Sequence, residues 1–364
     1  MTQNKTKSEK IVSKRKKESN IDILMPIISV IAGLAAGAIF MLIIGSNPIK
    51  AYSVLFESAF GSFYGFSETL INTTPLIFTG LAVSFAFRTG LFNIGGDGQF
   101  LIAYTVTAWI GYAFQLPMLI HVPLALIGGI IGGGLWASIA GYLKAKLGVH
   151  EVITTIMLNY IALYLSGYFI GNPLKKPGQI PATYFIKDSA KLISIPGTRA
   201  NMSIIIALAA AALIYYLLWK TTLGYEVRAV GLNPDAAEYG GISVANKMIT
   251  AMFISGALAG LAGSIQVMGL EHRAYQPFGF IGYGFTGIAV ALLGKNHPGG
   301  VILGALLFGV LNRGAMQMQS MAGVPKEVVE IIQAIIIIFV ASEYAFRWIA
   351  KKSNKEKGGV ADVN

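Results

Sequence analysis

The chain contains no cysteine among its 364 residues. That excludes a disulfide framework, a thiol nucleophile and a thiolate metal centre. Charge is also scarce. Asp, Glu, Lys and Arg make up 12% of the residues, where a soluble domain carries about 25%. There is no GxxxxGK[ST] run, so the chain has no P-loop to cradle ATP phosphates. There is no HExxH, and the four histidines are scattered at His121, His150, His272 and His297. No spacing supports a Ser/His/acid arrangement or a metal site, and the expectation is a non-catalytic chain.

What is abundant is apolar. Hydrophobic residues make up 54% of the chain, and several apolar stretches approach the ~20 residues needed to cross a bilayer as a helix. The short alternating segments of a β-barrel are absent. The 43 glycines suit close helix packing in lipid. The net charge of +11 comes from basic residues near the N-terminus and beside the ends of apolar segments, the positive-inside distribution. It implies membrane lipid rather than nucleic acid as a partner.

These features predict an all-α integral membrane protein with about ten transmembrane helices, some discontinuous, and both termini cytoplasmic. Residues 1–20, with seven Lys/Arg against two Glu, are expected to be a disordered basic tail. Residues 21–349 form the membrane domain, with a cytoplasmic loop at 221–247, and 350–364 a second tail. The run Ile21–Ile44 is too long for a secretory h-region and is kept as an anchored span. Its Gly33 and Gly37 stand at GxxxG spacing. The second span, 68–87, is interrupted by Asn72-Thr73-Thr74-Pro75 and stops at Arg88, read as a topology anchor. Spans follow at 99–114, 122–142, 152–170, 202–219 and 248–270. The intervening polar stretch Gly171–Asn201, with four prolines, is expected to be an ordered excursion on the outer side. After Gly282, the pieces 285–293 and 301–311 are too short to cross at 1.5 Å per residue. Side by side, they point to discontinuous helices in a transporter core. The last span is 328–348.

Two polar stretches stand out. In Thr221–Lys247, Asn233 is a good N-cap, Pro234 fits the first helical position, and Asp235 complements the positive end of the dipole. Ala236 and Ala237 propagate a helix that Gly240 and Gly241 can end. The result is a helix of under two turns, shaped as a docking knob for another protein. In Gly90–Phe100, GLFNIGGDGQF, Gly95, Gly96 and Gly98 let backbone approach a path or a helix, with Asn93, Asp97 and Gln99 as polar contacts. The alternative is a tight turn with Asp97 as N-cap of the third span; for Asp97 alone the cap is the preferred reading. Polar residues deeper in spans are neutral, including Asn72, Thr73, Thr74, Asn159 and Thr286. Asn159 either lines a pathway or hydrogen-bonds a neighbouring helix. The lack of acids at span centres disfavours an ion-coupled carrier, so the driving energy is expected from a partner.

GLFNIGGDGQF, the TTLGYEVRAVGLNPDAAEYGGISV loop and GFTGIAVALLGKNHPGGVILGALLFGVL together resemble the membrane subunits of ABC importers of the branched-chain amino acid, simple sugar and nucleoside class, over roughly Ile23 to Trp348. The GLFNIGGDGQ stretch looks most like the nucleoside permeases that work with a basic-membrane-protein-type lipoprotein. The GGIDLSVG-like sequence of the sugar permeases and the NLGHG-like one of the amino acid permeases are absent.

The resemblance implies a permease subunit that dimerises with itself or a second permease chain, docks two cytoplasmic ABC ATPases and receives nucleosides from an extracytoplasmic binding lipoprotein. It implies a bacterial cell membrane, no cofactor on this chain, and ATP and Mg on the ATPase. It makes Gly231–Gly241 a coupling helix, with Gly231, Asn233, Pro234, Asp235, Ala236, Ala237, Glu238 and Gly240 as the ATPase-coupling residues. Translocation-path candidates are Asn72, Thr74, Asn93, Gly95, Gly96, Gln99, Asn159 and Thr286. The alternatives are a sugar or branched-chain amino acid permease of the same class and, from another class, an ion-coupled secondary transporter.

Overall fold

The computed structural model describes residues 26–342; both expected tails lie outside the described residues. The chain divides into two compact units, one running Leu55–Gly314 and the other formed by the segments on either side. Each of the ten apolar segments is a helix over its described residues. Among the described residues the backbone forms helices, and no strands beyond isolated bridges. The helices are α1 (Pro26–Ile43), α2 (Pro48–Phe60), α3 (Phe63–Arg88), α4 (Gly96–Ala113), α5 (Met118–Leu147), α6 (Glu151–Gly171), α7 (Ser203–Lys220), α8 (Thr222–Leu232), α9 (Pro234–Tyr239), α10 (Val244–Gln266), α11 (Tyr283–Leu293), α12 (Pro298–Ala322) and α13 (Glu327–Ala341). Among the described residues, seven helices are long and apolar enough to cross a membrane; in the numbering used here they are α1, α3, α5, α6, α7, α10 and α12.

In the unit formed by the two flanking segments, α1 packs on α13 through the expected GxxxG pair. A Cβ on Gly33 or Gly37 would meet Ile336 or Ile332 at 2.4 and 2.3 Å. In the Leu55–Gly314 unit the closest pair is α5 and α10. Gly133 faces Gly256 and Gly260 backbone to backbone, so the glycines are spent on van der Waals approach, as expected where lipid supplies no hydrophobic drive.

Helix α3 is the most enclosed: 78% of its apolar window is buried, against 28% for α5. The tetrad Asn72–Pro75 does not interrupt it. Thr73, Thr74 and Thr79 return their hydroxyls to the carbonyls of Thr69, Leu70 and Pro75, and such back-bonding lets a membrane helix carry polar residues and proline.

One of the two expected short segments is short. α11 has 11 residues, but 301–311 lies inside the 25-residue α12. His297 starts α12: its Nδ1 accepts from Gly299 N–H at 3.2 Å, and Pro298 takes the first position, where a missing N–H costs nothing.

The discontinuity is instead shared by α4 and α11. After α3 ends at Arg88, the chain turns at Thr89 and Gly90 and runs back along its neighbours. Asn93 reaches Ser255, whose hydroxyl donates to Ala82 O. The chain has thus climbed from Arg88 to the level of Ala82, about 9 Å along the helix, before α4 begins. From the opposite end, residues 274–282 descend past Gly171, where Gln276 packs, to Tyr160, whose ring meets Phe280. α11 then starts. Two helices therefore begin at one interior point, approached from opposite sides.

The 172–202 stretch is ordered, as expected. Its backbone bonds to Gly111, Met268, His272 and Ala274, covering the ends of α4 and α10.

Candidate functional site

The junction of α4 and α11 is built around Asp97. Its carboxylate accepts from the N–H groups of Gly282 (3.1 Å), Gly284 (3.2 Å) and Phe285 (3.3 Å). Asp97 is therefore not the cap of its own helix, as the sequence suggested; Gly95 stands at that position. It holds the start of α11, where the first N–H groups have no intrahelical acceptor. Gly96 and Gly284 permit the approach: a Cβ on Gly284 would lie 2.4 Å from Asp97 N.

Around this junction the polar residues of GLFNIGGDGQF close a network. Asn93 and Gln99 exchange amide hydrogen bonds at 3.1 and 3.0 Å. Asn93 also donates to Ser255 Oγ at 2.8 Å and accepts from Gly95 N–H at 2.9 Å. Asn159 accepts from Gly98 N–H at 2.8 Å and donates to Ile94 O at 2.9 Å. Asn93, Gln99, Asn159 and Ser255 are buried, and buried polar groups need such partners. Of the two sequence readings of Asn159, a bond to a neighbouring segment is the one its side chain makes.

The structure thus brings together Asn93, Gly95, Gly96, Gln99 and Asn159, with Thr286 in the first turn of α11. Asn72 and Thr74 stand apart on α3, more than two helical turns from Ala82. Asn72 donates to Glu68 O and Thr74 to Leu70 O. Sequence reasoning missed Ser255, because an isolated serine in an apolar helix carries no local signal. It also missed that Glu68, near the start of α3, is buried beside Arg199 at 3.5 Å.

The second site is Thr221–Lys247. α9 spans Pro234–Tyr239, with the Asn233 side chain accepting from Ala236 N–H at 3.0 Å and proline at the first turn. The end is a Schellman closure: Gly241 N–H reaches Glu238 O, Ile242 N–H reaches Ala237 O, and Gly241 has φ +82°, the backbone glycine tolerates best. Sequence reasoning missed α8, although Thr221 caps it by accepting from Gly224 N–H. Val227 and Val230, three apart, form its buried face. An ion pair between Glu226 and Lys247, 2.6 Å, braces α8 on α10.

In α9 only Ala237 is buried. Pro234, Asp235, Ala236, Glu238 and Gly240 are exposed, and two large apolar side chains flank them, Leu232 at 88% exposure and Tyr239 at 96%. Gly231 is fixed by a neighbour: a Cβ there would lie 2.2 Å from Arg88 O. Among the described residues no cluster of His, Asp or Glu could hold a metal ion.

Residues 65–341 match the family described as branched-chain amino acid transport system / permease component. The chain belongs to this family. As a permease component it is a multi-pass protein of the cell membrane, and its relatives are transport components. The guanosine ABC transporter permease protein NupP of Bacillus subtilis (strain 168) is 48% identical over 338 residues, covering 92% of this chain and 97% of that protein. The nucleoside ABC transporter permease protein NupB of Lactococcus lactis subsp. cremoris (strain MG1363) is 40% identical, covering 93% of this chain and 96% of that protein. A glucose ABC transporter permease protein of Haloferax volcanii is 34% identical, covering 88% of each.

Proposed function

We propose that this permease component imports nucleosides, driven by separate cytoplasmic ATPase subunits. The observation that carries the substrate class is near-full-length similarity to two relatives named for guanosine and nucleoside transport, at 48% and 40% identity; the glucose relative stands lower at 34%. The chemistry agrees. A nucleoside is neutral, and amides, hydroxyls and aromatic rings suffice to line its route.

The coupling role rests on α9. It has a built start and stop, exposes Leu232 and Tyr239, and presents Asn233, Pro234, Asp235, Ala236, Glu238 and Gly240. Seated in an ATPase cleft, it would transmit closure of the ATPase pair, with Ala237 and Gly231 holding it to the membrane helices. The chain itself binds no cofactor in this reading; ATP and Mg belong to the ATPase. An extracytoplasmic lipoprotein delivers the nucleoside, and a second permease chain, identical or different, completes the pore. The membrane domain covers residues 21–349 with about ten crossings and cytoplasmic termini. α4 and α11 are its discontinuous members, and residues 1–20 and 350–364 are tails. Along the route, Asn72 and Thr286, both half-buried, face the nucleoside. Asn93, Gly95, Gly96, Gln99 and Asn159 form the frame behind Thr286, and Thr74 adds to the route on α3.

Uptake of labelled guanosine and uridine is the test, in cells deleted for this chain and in cells with it restored. Nucleoside uptake should fall to the background of the deletion strain and return on restoration, with glucose uptake unaffected. Intact nucleoside uptake with impaired sugar uptake would overturn the substrate class.

A further inference from the structure

Arg88 ends α3 and touches three other segments. Its Nε donates to Asn296 O at 3.0 Å and its Nη2 to Lys295 O at 3.3 Å. Its guanidinium lies 5.3 Å from the centre of the Trp219 ring, at the end of α7. Trp219 in turn packs on Tyr215 and His297, with ring centroids at 5.3 and 5.1 Å. The carbonyl of Arg88 sits under Gly231, the penultimate residue of α8, so close that only glycine fits.

The two carbonyls it holds are unusual. Lys295 and Asn296 both adopt the left-handed region, φ +53° and +52°, which residues with a Cβ visit at a cost. They close α11, through Lys295 N–H to Leu292 O and Asn296 N–H to Ala291 O, and lead through His297 into α12. Such a turn persists where its surroundings over-determine it, and the fork of Arg88 on both carbonyls does that. A guanidinium can hold two acceptors in one plane while its face rests on an indole; an ammonium on a flexible stem cannot.

We propose that Arg88 is the positioning residue that carries movement of the α8–α9 elbow to α11. This rests on the reading of α9 as the ATPase contact. The route is physical and short. The end of α8 bears on the backbone of Arg88, and the side chain of Arg88 clasps the lower end of α11. α11 is a rod of 11 residues, about 16 Å long, whose other end is held by Asp97 at the junction with α4. A shift at the elbow therefore moves the interior junction without bending a helix.

The test uses the complete transporter, with ATPases, permease partner and binding lipoprotein, in proteoliposomes where ATP hydrolysis and guanosine uptake are measured together. Arg88→Lys and Arg88→Gln should assemble and hydrolyse ATP, with guanosine moved per ATP falling about tenfold, within the span that coupling-network changes produce. Gly231→Ala, which presses a methyl group on Arg88 O, should lower the same ratio with Arg88 intact. An unchanged ratio in all three, while Pro234→Gly and Gly240→Trp lower it, overturns the role of Arg88 and leaves α9 standing. A lowered ratio in the Arg88 variants with normal coupling in both α9 variants removes α9 as the contact instead. Failure of Arg88→Lys and Gly231→Ala alike to accumulate in the membrane assigns Arg88 to folding alone and overturns the proposal.

Discussion

Residues 90–100 and 221–247 are both glycine-bearing polar stretches between apolar helices, and they are held in opposite ways. In 221–247 the determinants are local: Asn233 bonds Ala236 and Thr221 bonds Gly224, each three residues on. The element stands exposed, with Tyr239 almost fully in the open. In 90–100 the partners are remote. Asn159 lies 61 residues from Gly98, Ser255 lies 162 from Asn93, and the α11 start lies 185 to 188 from Asp97. The first stretch takes its turns and caps from bonds within itself. The second is held chiefly by bonds to distant residues. Changes in the first should act locally and on function, changes in the second on the whole membrane domain.

The sharpest break of that contrast is at Asp97. Asp97→Ala removes the acceptor of three N–H groups at the start of α11, of which that of Gly284 is buried and those of Gly282 and Phe285 are part-buried. With about 1–3 kcal/mol for an unsatisfied buried group, the loss should be about 2–4 kcal/mol. Thermal unfolding of the purified chain in detergent measures it. Asp97→Asn should lose less, because its amide oxygen still accepts. Equal melting of Asp97→Ala and the unsubstituted chain would show that α11 is held by something else.

Asn159→Leu comes next. It removes one acceptor, for Gly98 N–H, and one donor, to Ile94 O. Interhelical hydrogen bonds in membranes are worth about 0.6–2 kcal/mol each, so the expected loss is about 1–3 kcal/mol. The same unfolding measurement tests it, and a stabilised variant would instead mark Asn159 as a side chain held at a cost for another purpose.

This contrast also explains what could be read in the sequence. α9 was legible to the residue, because an N-cap, a proline and a glycine stop act within one turn. The apolar segments were legible as helices from length alone. The role of Asp97 was not. A carboxylate one residue into a helix reads as a cap, and nothing within several residues announces a partner near 282. For the same reason 301–311 looked short. The Gly/Pro run before Val301 suggested a break and the apolar piece stops at Leu311, yet Gly300 is small to admit Gly294, and α12 runs on from Pro298 to Ala322. Arg88 was read as an anchor because its position at a span end fits the charge rule; its two carbonyl partners lie more than 200 residues away. α8 was overlooked although Thr221 and the valine pair were visible, because the stretch was polar enough to pass as loop.

The smallest global effect should come from Asn233→Ala, on the local side of the comparison. An N-cap loss costs about 1 kcal/mol, and in an exposed helix of six residues that cost falls on α9 alone, since its opening exposes little packed surface. The melting temperature of the chain should therefore stay unchanged while the amides of 236–239 exchange faster with solvent, as expected for a unit that opens by itself. Hydrogen exchange read by mass spectrometry on peptides covering 221–247 and 90–100 separates the two stretches. Faster exchange confined to the first supports a locally determined α9. Faster exchange in both would mean that the cap at Asn233 is coupled to the interior junction, and the division between the two stretches would fail.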